Sequence, residues 1–381
     1  MILFLHNRYR TPGGEERAVG DLAWLVREHL GEPVELLERD SLGLPATAAA
    51  RALLRGGSAP EEVAAAVRRT GARVVHAHNL NPSFGPRALA AARAAGARTV
   101  LHLHNYRLVC AVGTCVNSRG EDCTRCRGRR TAPGVRLNCR GSLPESAVYA
   151  AALARHSARL VEHADAIIVP SEAALDRLRE LEAPLGDTPV HVVGHVVRAL
   201  DGREPPPPPR VEGPALVVSR LAREKAVDVA IDACALAGVP LVIAGDGPER
   251  ARLEERARGH DVRFTGVIGD AELAALRAQA GVALIPTRAR ETFGLAALEA
   301  MAAGVPTVAM DLGALAELGA GATLVAPDDA DALAAALLAA RGDASAGARA
   351  HTTAVALASP SAVAPQLAAV YASLGPHAAA R

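Results

Sequence analysis

The sequence predicts an α/β protein of two domains, each a parallel sheet wound with helices. Three observations predict it. At 381 residues the chain suits two domains of ordinary size. Short apolar runs bounded by Gly, Pro and Asn alternate with longer alanine-rich helical patterns, the rhythm of βαβ units. Pro205 to Pro209, a stiff polyproline spacer, divides that alternation. The reading gives a first domain over 1–204, the spacer at 205–209, a second domain over 210–358 and a closing segment over 359–381. The helix of that segment, about Ser361 to Leu374, is expected to pack back on the first domain.

Half the chain is hydrophobic and only 2% is aromatic, so the cores are aliphatic. A net charge of +1 without any basic block argues against nucleic-acid binding. The opening Met1 to Leu5 is too short for a signal segment, and no run approaches membrane-spanning length. A cytoplasmic protein is expected, with at most a peripheral membrane contact. Six cysteines in so long a chain do not make a secreted disulfide scaffold.

Ile2 to Leu5 reads as the first strand. Gly13-Gly14 forms the turn into a helical pattern through Ala18, Leu22, Leu25 and Val26. Such a turn can bring amides against a phosphate, or serve as a plain loop. It is not G-x-G-x-x-G, so dinucleotide binding gains nothing. Val34 to Leu37 is a strand, and Pro45 to Thr70 a polar helical region. Arg73 to His78 and Thr99 to His104 are strands that both end in His-x-His-Asn: His76, His78, Asn79 and His102, His104, Asn105. In a parallel sheet the ligand lies beyond the carboxyl ends of the strands, so His78 and His104 are candidates.

Cys110 to Cys139 interrupts the alternation with Cys110, Cys115, Cys123, Cys126 and Cys139. A loop of this length without periodicity has its own staple or a function. Cys123-x2-Cys126 flanked by further cysteines fits tetrahedral zinc, with Cys110, Cys123, Cys126 and Cys139 as ligands and Cys115 spare. Free thiols or a redox pair are the alternatives.

Ser146 to Glu162 is a long helix, Ala166 to Pro170 a strand with Ser171 as the next N-cap, and Val190 to Val197 another strand. Beyond the prolines, Ala215 to Ser219 is a strand ending in S-R-L-A-R-E-K, which places Arg220 and Lys225 at a strand-to-helix turn. Lys225 is the only lysine among 42 basic residues. A lone lysine in an arginine-rich chain points to a place needing a compact ammonium. Leu241 to Ala244 precedes the turn Gly245-Asp246-Gly247-Pro248. Val262 to Thr265 leads to Gly266 and Val267, with a helix from Asp270. Gly281 to Pro286 is a buried strand followed by E-T-F-G-L-A-A-L-E, Glu291 to Glu299. Thr292 is read as N-cap, and the amides from Gly294 and Leu295 onward would face a ligand above the strand. Asp329-x-Asp331 is read as an exposed helix start rather than a metal motif.

The order Gly13-Gly14-Glu15, S-R-L-x2-E-K, G-D-G-P and E-T-F-G-L-x3-E resembles the retaining GT-B glycosyltransferases of the GT4 type. The resemblance covers nearly the whole chain, and the H-N-R-Y-R-T-P-G-G-E opening and cysteine loop resemble an actinobacterial branch. It implies two Rossmann-like domains facing each other across a donor/acceptor cleft. It implies Gly13 and Gly14 near the donor diphosphate, Arg220 and Lys225 neutralising it, and His104 and Glu291 as the catalytic pair at the transferred sugar. Glu299 is implied on the ribose and Val267 at the base. Gly194-His195 departs from the Pro-Asn turn that relatives carry there. The implied reaction needs no catalytic cofactor and moves a hexose or N-acetylhexosamine from a nucleotide-sugar donor, UDP by family frequency. The acceptor is a hydroxyl of a glycan, a lipid carrier or a small natural product. A homodimer is compatible with this reading. A nucleotide-sugar 2-epimerase on the same fold, or a non-catalytic nucleotide-sugar-binding relative, are the alternatives.

Overall fold

The computed structural model describes residues 1–10, 13–202 and 205–375. Thr11 and Pro12 of the opening motif, Glu204 at the expected domain boundary, and 376–381 lie outside the described residues. Two compact units form, Met1–Val196 with Val363–Arg381, and Val197–Ala362.

Unit 1 carries the strands β1 (Ile2–Arg8), β2 (Val34–Asp40), β3 (Val74–Ala77), β4 (Arg98–His102), β5 (Ala166–Val169) and β6 (Val190–Val192). They form one sheet in the order β2-β1-β3-β4-β5-β6, with every pairing parallel. Strands β3 and β5 are buried throughout, as a parallel sheet covered on both faces requires. Alternation then sorts the side chains. One face presents Leu3, Leu5, Val75 and Leu101 to the helices Pro60–Thr70 and Gly85–Ala94. The other presents Ile2, Phe4, Val74, Val100 and Ile168 to Val19, Leu22 and Val26 of the helix Gly14–His29. Val363, Leu367, Val370 and Tyr371 from the helix Pro360–Ser373 complete that second core. Burying an aliphatic side chain fully contributes about 1.5–3 kcal/mol, so these residues fasten the closing helix.

Unit 2 carries β7 (Ala215–Val218), β8 (Leu241–Ala244), β9 (Val262–Gly266), β10 (Val282–Ile285), β11 (Thr307–Met310) and β12 (Thr323–Val325). The order is β12-β11-β10-β7-β8-β9, again parallel. Its strand order reverses between β7 and β10, and that of unit 1 between β1 and β3. Those are the switch points where open α/β sheets bind ligands.

Two expectations need correction, the domain boundary and the absence of a long apolar run, and two are sharpened. The units part at Val196/Val197, ahead of the prolines. Val197 and Leu200 already belong to the unit 2 core with Met301 and Ala354, and the prolines run along unit 2. A Cβ on Gly304 would stand 2.7 Å from Pro206. The 45–70 region is two helices, Ala46–Arg55 and Pro60–Thr70. Gly56 and Gly57 turn between them at φ +74° and +115°, where Gly57 has no room for a Cβ beside the Phe84 carbonyl. The Ser361–Leu374 helix begins at Pro360 and ends at Ser373. Finally, Ala344–Ser373 is a helical stretch of 30 residues apolar enough to cross a membrane by length and composition. It is two helices broken at Ser359, whose apolar residues serve the cores: Ala350, Ala354 and Ala358 in unit 2, and Val363 onward in unit 1.

Candidate active site

In unit 2 the chain leaves β7 through Ser219 and Arg220, makes a 3-10 turn over Arg223–Lys225, and enters the helix Val227–Ala237 at Ala226. The G-D-G-P turn fixes this path. A Cβ on Gly245 would lie 2.0 Å from the Ser219 carbonyl, and one on Gly247 2.3 Å from that of Leu221. The Leu221 amide donates to the Asp246 carbonyl at 2.9 Å. These glycines therefore let two backbones touch and hold the loop that carries the cations.

Across the switch point, β10 runs into Pro286, Thr287 and the loop to Gly294. Lys225 Nζ meets Glu291 Oε1 at 2.6 Å, both side chains only partly exposed. The Glu291 backbone is pinned by the Ala314 amide, which donates to its carbonyl at 2.9 Å. Gly313, at φ +61°, leaves no room for a side chain against that segment. Arg288 braces the loop through Asp228 at 3.0 Å and the Arg223 carbonyl at 3.1 Å. Burial works against ionisation of Asp228, yet the Arg288 guanidinium holds its carboxyl below the usual carboxylate range.

The helix expected here starts at Leu295, with Gly294 rather than Thr292 at its N-cap. Gly294 stands at φ +82°, a left-handed turn that only then swings the chain into helix, so Thr292 comes two residues too early. A Cβ there would also sit 2.6 Å from Leu315 Cδ2. The Ala297 and Leu298 amides donate to the Gly294 carbonyl at 3.0 and 3.2 Å, and the amides ahead of them, from Gly294 and Leu295, carry the positive end of the helix dipole. Glu299 lies in that helix, 8% exposed and ion-paired with Arg277 of the helix Asp270–Gln279. A ribose diol on Glu299 would share it with Arg277. Arg220 pairs with Glu224, and Val267 is 81% exposed directly after Gly266. Asp329 accepts from the Ala332 amide at 2.8 Å, a helix cap as expected.

In unit 1 the Gly13 amide is already committed. It donates to Glu16 Oε2 at 2.8 Å and caps the helix Gly14–His29. Gly14 is exposed, with nothing among the described residues within 4 Å of a Cβ placed there. Behind the turn, Tyr9 Oη donates to Glu15 Oε2 at 2.8 Å, Asn105 Nδ2 to the same oxygen at 3.1 Å, and Arg107 Nη1 to Tyr9 Oη at 2.8 Å. Glu15 Oε1 is sealed from solvent and meets no hydrogen-bond partner among the described residues. Burial pushes the Glu15 carboxyl above its ordinary value, against the pull of Tyr9 and Arg107.

Beside it, histidines stack along one face of the sheet. His76 Nδ1 meets Tyr371 Oη at 2.7 Å, His76 Nε2 meets His102 Nδ1 at 3.2 Å, and His78 Nδ1 meets His104 Nε2 at 2.8 Å. The rings of His102 and His104 lie 4.2 Å apart and nearly parallel, and His195 stacks on His104 at 5.0 Å. Burial drives His76 and His104 down to about 3, each reinforced by a neighbouring histidine. They are neutral at physiological pH, so they hydrogen-bond rather than supply charge.

The structure thus joins Lys225 with Glu291 beside Gly294 and Leu295, and joins His104 with His78. Glu15, Tyr9, Asn105, Arg107, His195 and Arg277 were not expected there. Asn105 follows His104 in the motif, and the period-2 spacing of His76, His78 and of His102, His104 signals one shared face. Nothing in the sequence ties Arg277 to Glu299. The five loop cysteines line one small cavity, but the expected zinc quartet is not drawn together. Among the described residues, the groups of three metal-binding side chains that meet within 4.8 Å are His76, His78, His102 and His102, His104, His195.

Residues 9–195 match the Glycosyl transferase 4-like domain family, and 214–343 the Glycosyl transferases group 1 family. A GDP-mannose-dependent alpha-(1-6)-phosphatidylinositol dimannoside mannosyltransferase of Mycobacterium tuberculosis is 52% identical over 105 residues, 26% of this chain and 27% of that protein. A glycogen synthase of the same species is 38% identical over 169 residues, 42% of this chain and 40% of that protein. A GDP-mannose-dependent alpha-mannosyltransferase of Corynebacterium glutamicum is 31% identical over 156 residues, 37% of this chain and 35% of that protein. These matches span well under half the length of each relative. Among solved structures, sucrose-phosphate synthase from Thermosynechococcus elongatus superposes with TM-score 0.69 at 18% identity, over 98% of both chains. Anabaena Alr3699/HepE in complex with UDP and glucose gives 0.63 at 20% identity, over 98% of this chain and 99% of that one. With both sheets in Rossmann-like order and both family matches in place, the chain belongs to the GT4-type glycosyltransferases of the GT-B fold.

Proposed function

We propose that the chain is a retaining glycosyltransferase that moves a hexose from a nucleoside-diphosphate donor, GDP-mannose, to a hydroxyl of a glycan or lipid-linked acceptor. The observation that carries this reading is the Lys225–Glu291 pair at the unit 2 switch point, beside the N-terminus of the helix Leu295–Ala302. Two relatives are named as GDP-mannose-dependent, which favours GDP over the UDP expected from family frequency.

Each residue has a role under this reading. Breaking the anomeric carbon–phosphate oxygen bond leaves charge on the diphosphate. Lys225, Arg220 and the amides from Gly294 and Leu295 stabilise that charge. Glu291 orients sugar hydroxyls, and Glu299 takes the ribose while Arg277 holds its other side. Val267 presents backbone to the base. His104, neutral, offers a hydrogen bond to a sugar hydroxyl. The acceptor oxygen bonds to the anomeric carbon on the face the leaving group departs from. Its proton passes to the leaving phosphate, so configuration is retained.

The test is calorimetric titration of GDP, UDP and GDP-mannose into wild type and Lys225→Ala, followed by transfer of labelled mannose into lipid and polysaccharide fractions. GDP should bind best and lose roughly 1.5–3 kcal/mol in the variant, as expected for a lost charge-assisted contact. Tighter UDP binding overturns the donor, and binding of no nucleotide overturns the transferase reading.

A further inference from the structure

The cysteine loop is untouched by the chemistry proposed above. Cys110, Cys115, Cys123, Cys126 and Cys139 all line a single small cavity, walled otherwise by Ala111, Val116, Leu137 and neighbouring apolar atoms. Five of the chain's six cysteines gather there. None is in a disulfide. The Cys126 thiol donates to the Thr131 carbonyl at 3.7 Å, and the chain turns between Cys110 and Cys115 with Gly113 at φ +88°.

We propose that Cys110, Cys123, Cys126 and Cys139 bind one zinc ion as a closed, structural four-thiolate site. Cys115 differs from these four in its neighbours. Cys126 lies within electrostatic reach of Cys110, Cys123 and Cys139, and Cys139 within reach of Cys110 and Cys123. Cys115 instead leans on Cys110 and on Arg177, which is 3% exposed and bonded to Asp122 and Glu180. Four bonds of about 2.3 Å around one ion bring sulfurs to roughly 3.8 Å. Among the described residues no three of these sulfurs meet within 4.8 Å, so the ion would draw them in. The loop that the ion would fasten starts at Asn105 and Arg107, the donors onto Tyr9 and Glu15. Zinc would therefore act here as a fastener, away from the reacting atoms.

The experiment is metal analysis of the full chain purified without chelator. One zinc per chain is expected. Cys123→Ser and Cys139→Ser should each lower that content at least fivefold, while Cys115→Ser and Cys234→Ser retain it. Because a ligand variant can fail to fold, wild type stripped by chelator is also titrated with Co2+. A tetrahedral thiolate–cobalt absorption that saturates at one equivalent, and is displaced by Zn2+, supports the site. Stripped protein that develops no such absorption overturns it, as does metal content unchanged in Cys123→Ser. Loss of zinc in Cys115→Ser overturns the assigned quartet.

Discussion

The two sheets have nearly the same plan and unlike ends. At the unit 2 switch point a lysine lies beside a helix N-terminus, and the carboxylate of Glu291 is held 2.6 Å from Lys225. At the carboxyl ends of the unit 1 strands the comparable positions hold neutral histidines and a carboxyl pushed toward its protonated form. The difference follows from solvation. The Lys225–Glu291 pair lies partly in solvent, whereas His76 and His102 are sealed in the sheet face. One fold thus carries a charged cluster at one switch point and an uncharged polar cluster near the other.

Acid should break the contrast first and hardest. His76, His78, His102 and His104 have folded values well below the ordinary ~6.5, so the unfolded chain takes up protons that the folded unit refuses. The contribution of His76 and His104 is complete above about pH 6.5 and is lost as pH falls toward 3, by ~1.4 kcal/mol per pH unit for each one kept neutral, with His78 and His102 acting in the same direction. The sole tryptophan, Trp24, lies in unit 1 and reads its urea midpoint directly, while the buried Cys234 thiol reports unit 2. Unit 1 should lose stability on acidification well before Cys234 becomes reactive. Next in size, Lys225→Ala should lower kcat/KM by roughly 10²–10³, about 2.7–4 kcal/mol in the transition state, with little change in thermal stability. Gly294→Ala should cost about 1–3 kcal/mol in a melt, because the position combines φ +82° with a 2.6 Å approach to Leu315. Gly14→Ala, in open space, should stay within about 0.5 kcal/mol. The smallest effect belongs to Glu15→Gln. A raised carboxyl value means stability falls as pH rises past the ordinary carboxylate range, so the variant should melt slightly above wild type at neutral pH. Below about pH 4 the two melting curves should coincide.

The strands were legible because parallel strands are buried on both faces and leave continuous apolar runs such as V-V-H-A and V-A-L-I. Lys225 was legible because it is the only one of its kind. Tertiary relations were not. Thr292 has the chemistry of a cap, but the turn at Gly294 decides where the helix starts. Five prolines look like a boundary, yet Val197 and Leu200 ahead of them already fit the unit 2 core. Arg277 meets Glu299 across 22 residues of sequence, and His195 reaches the histidine stack from beyond β6. No local pattern encodes either meeting.

The closing helix sets an order of events during synthesis. The unit 1 core under β1, β3 and β4 needs Val363, Leu367 and Val370, and His76 needs the hydroxyl of Tyr371. Those residues leave the ribosome only after the whole of unit 2. The unit made first is therefore finished last. While translation proceeds, its histidine face stays without the helix that covers it, and unit 2 can complete its own core beforehand. A nascent chain arrested near residue 345 should hold a half-built unit 1, recognisable by Trp24 emission that differs from that of the released protein.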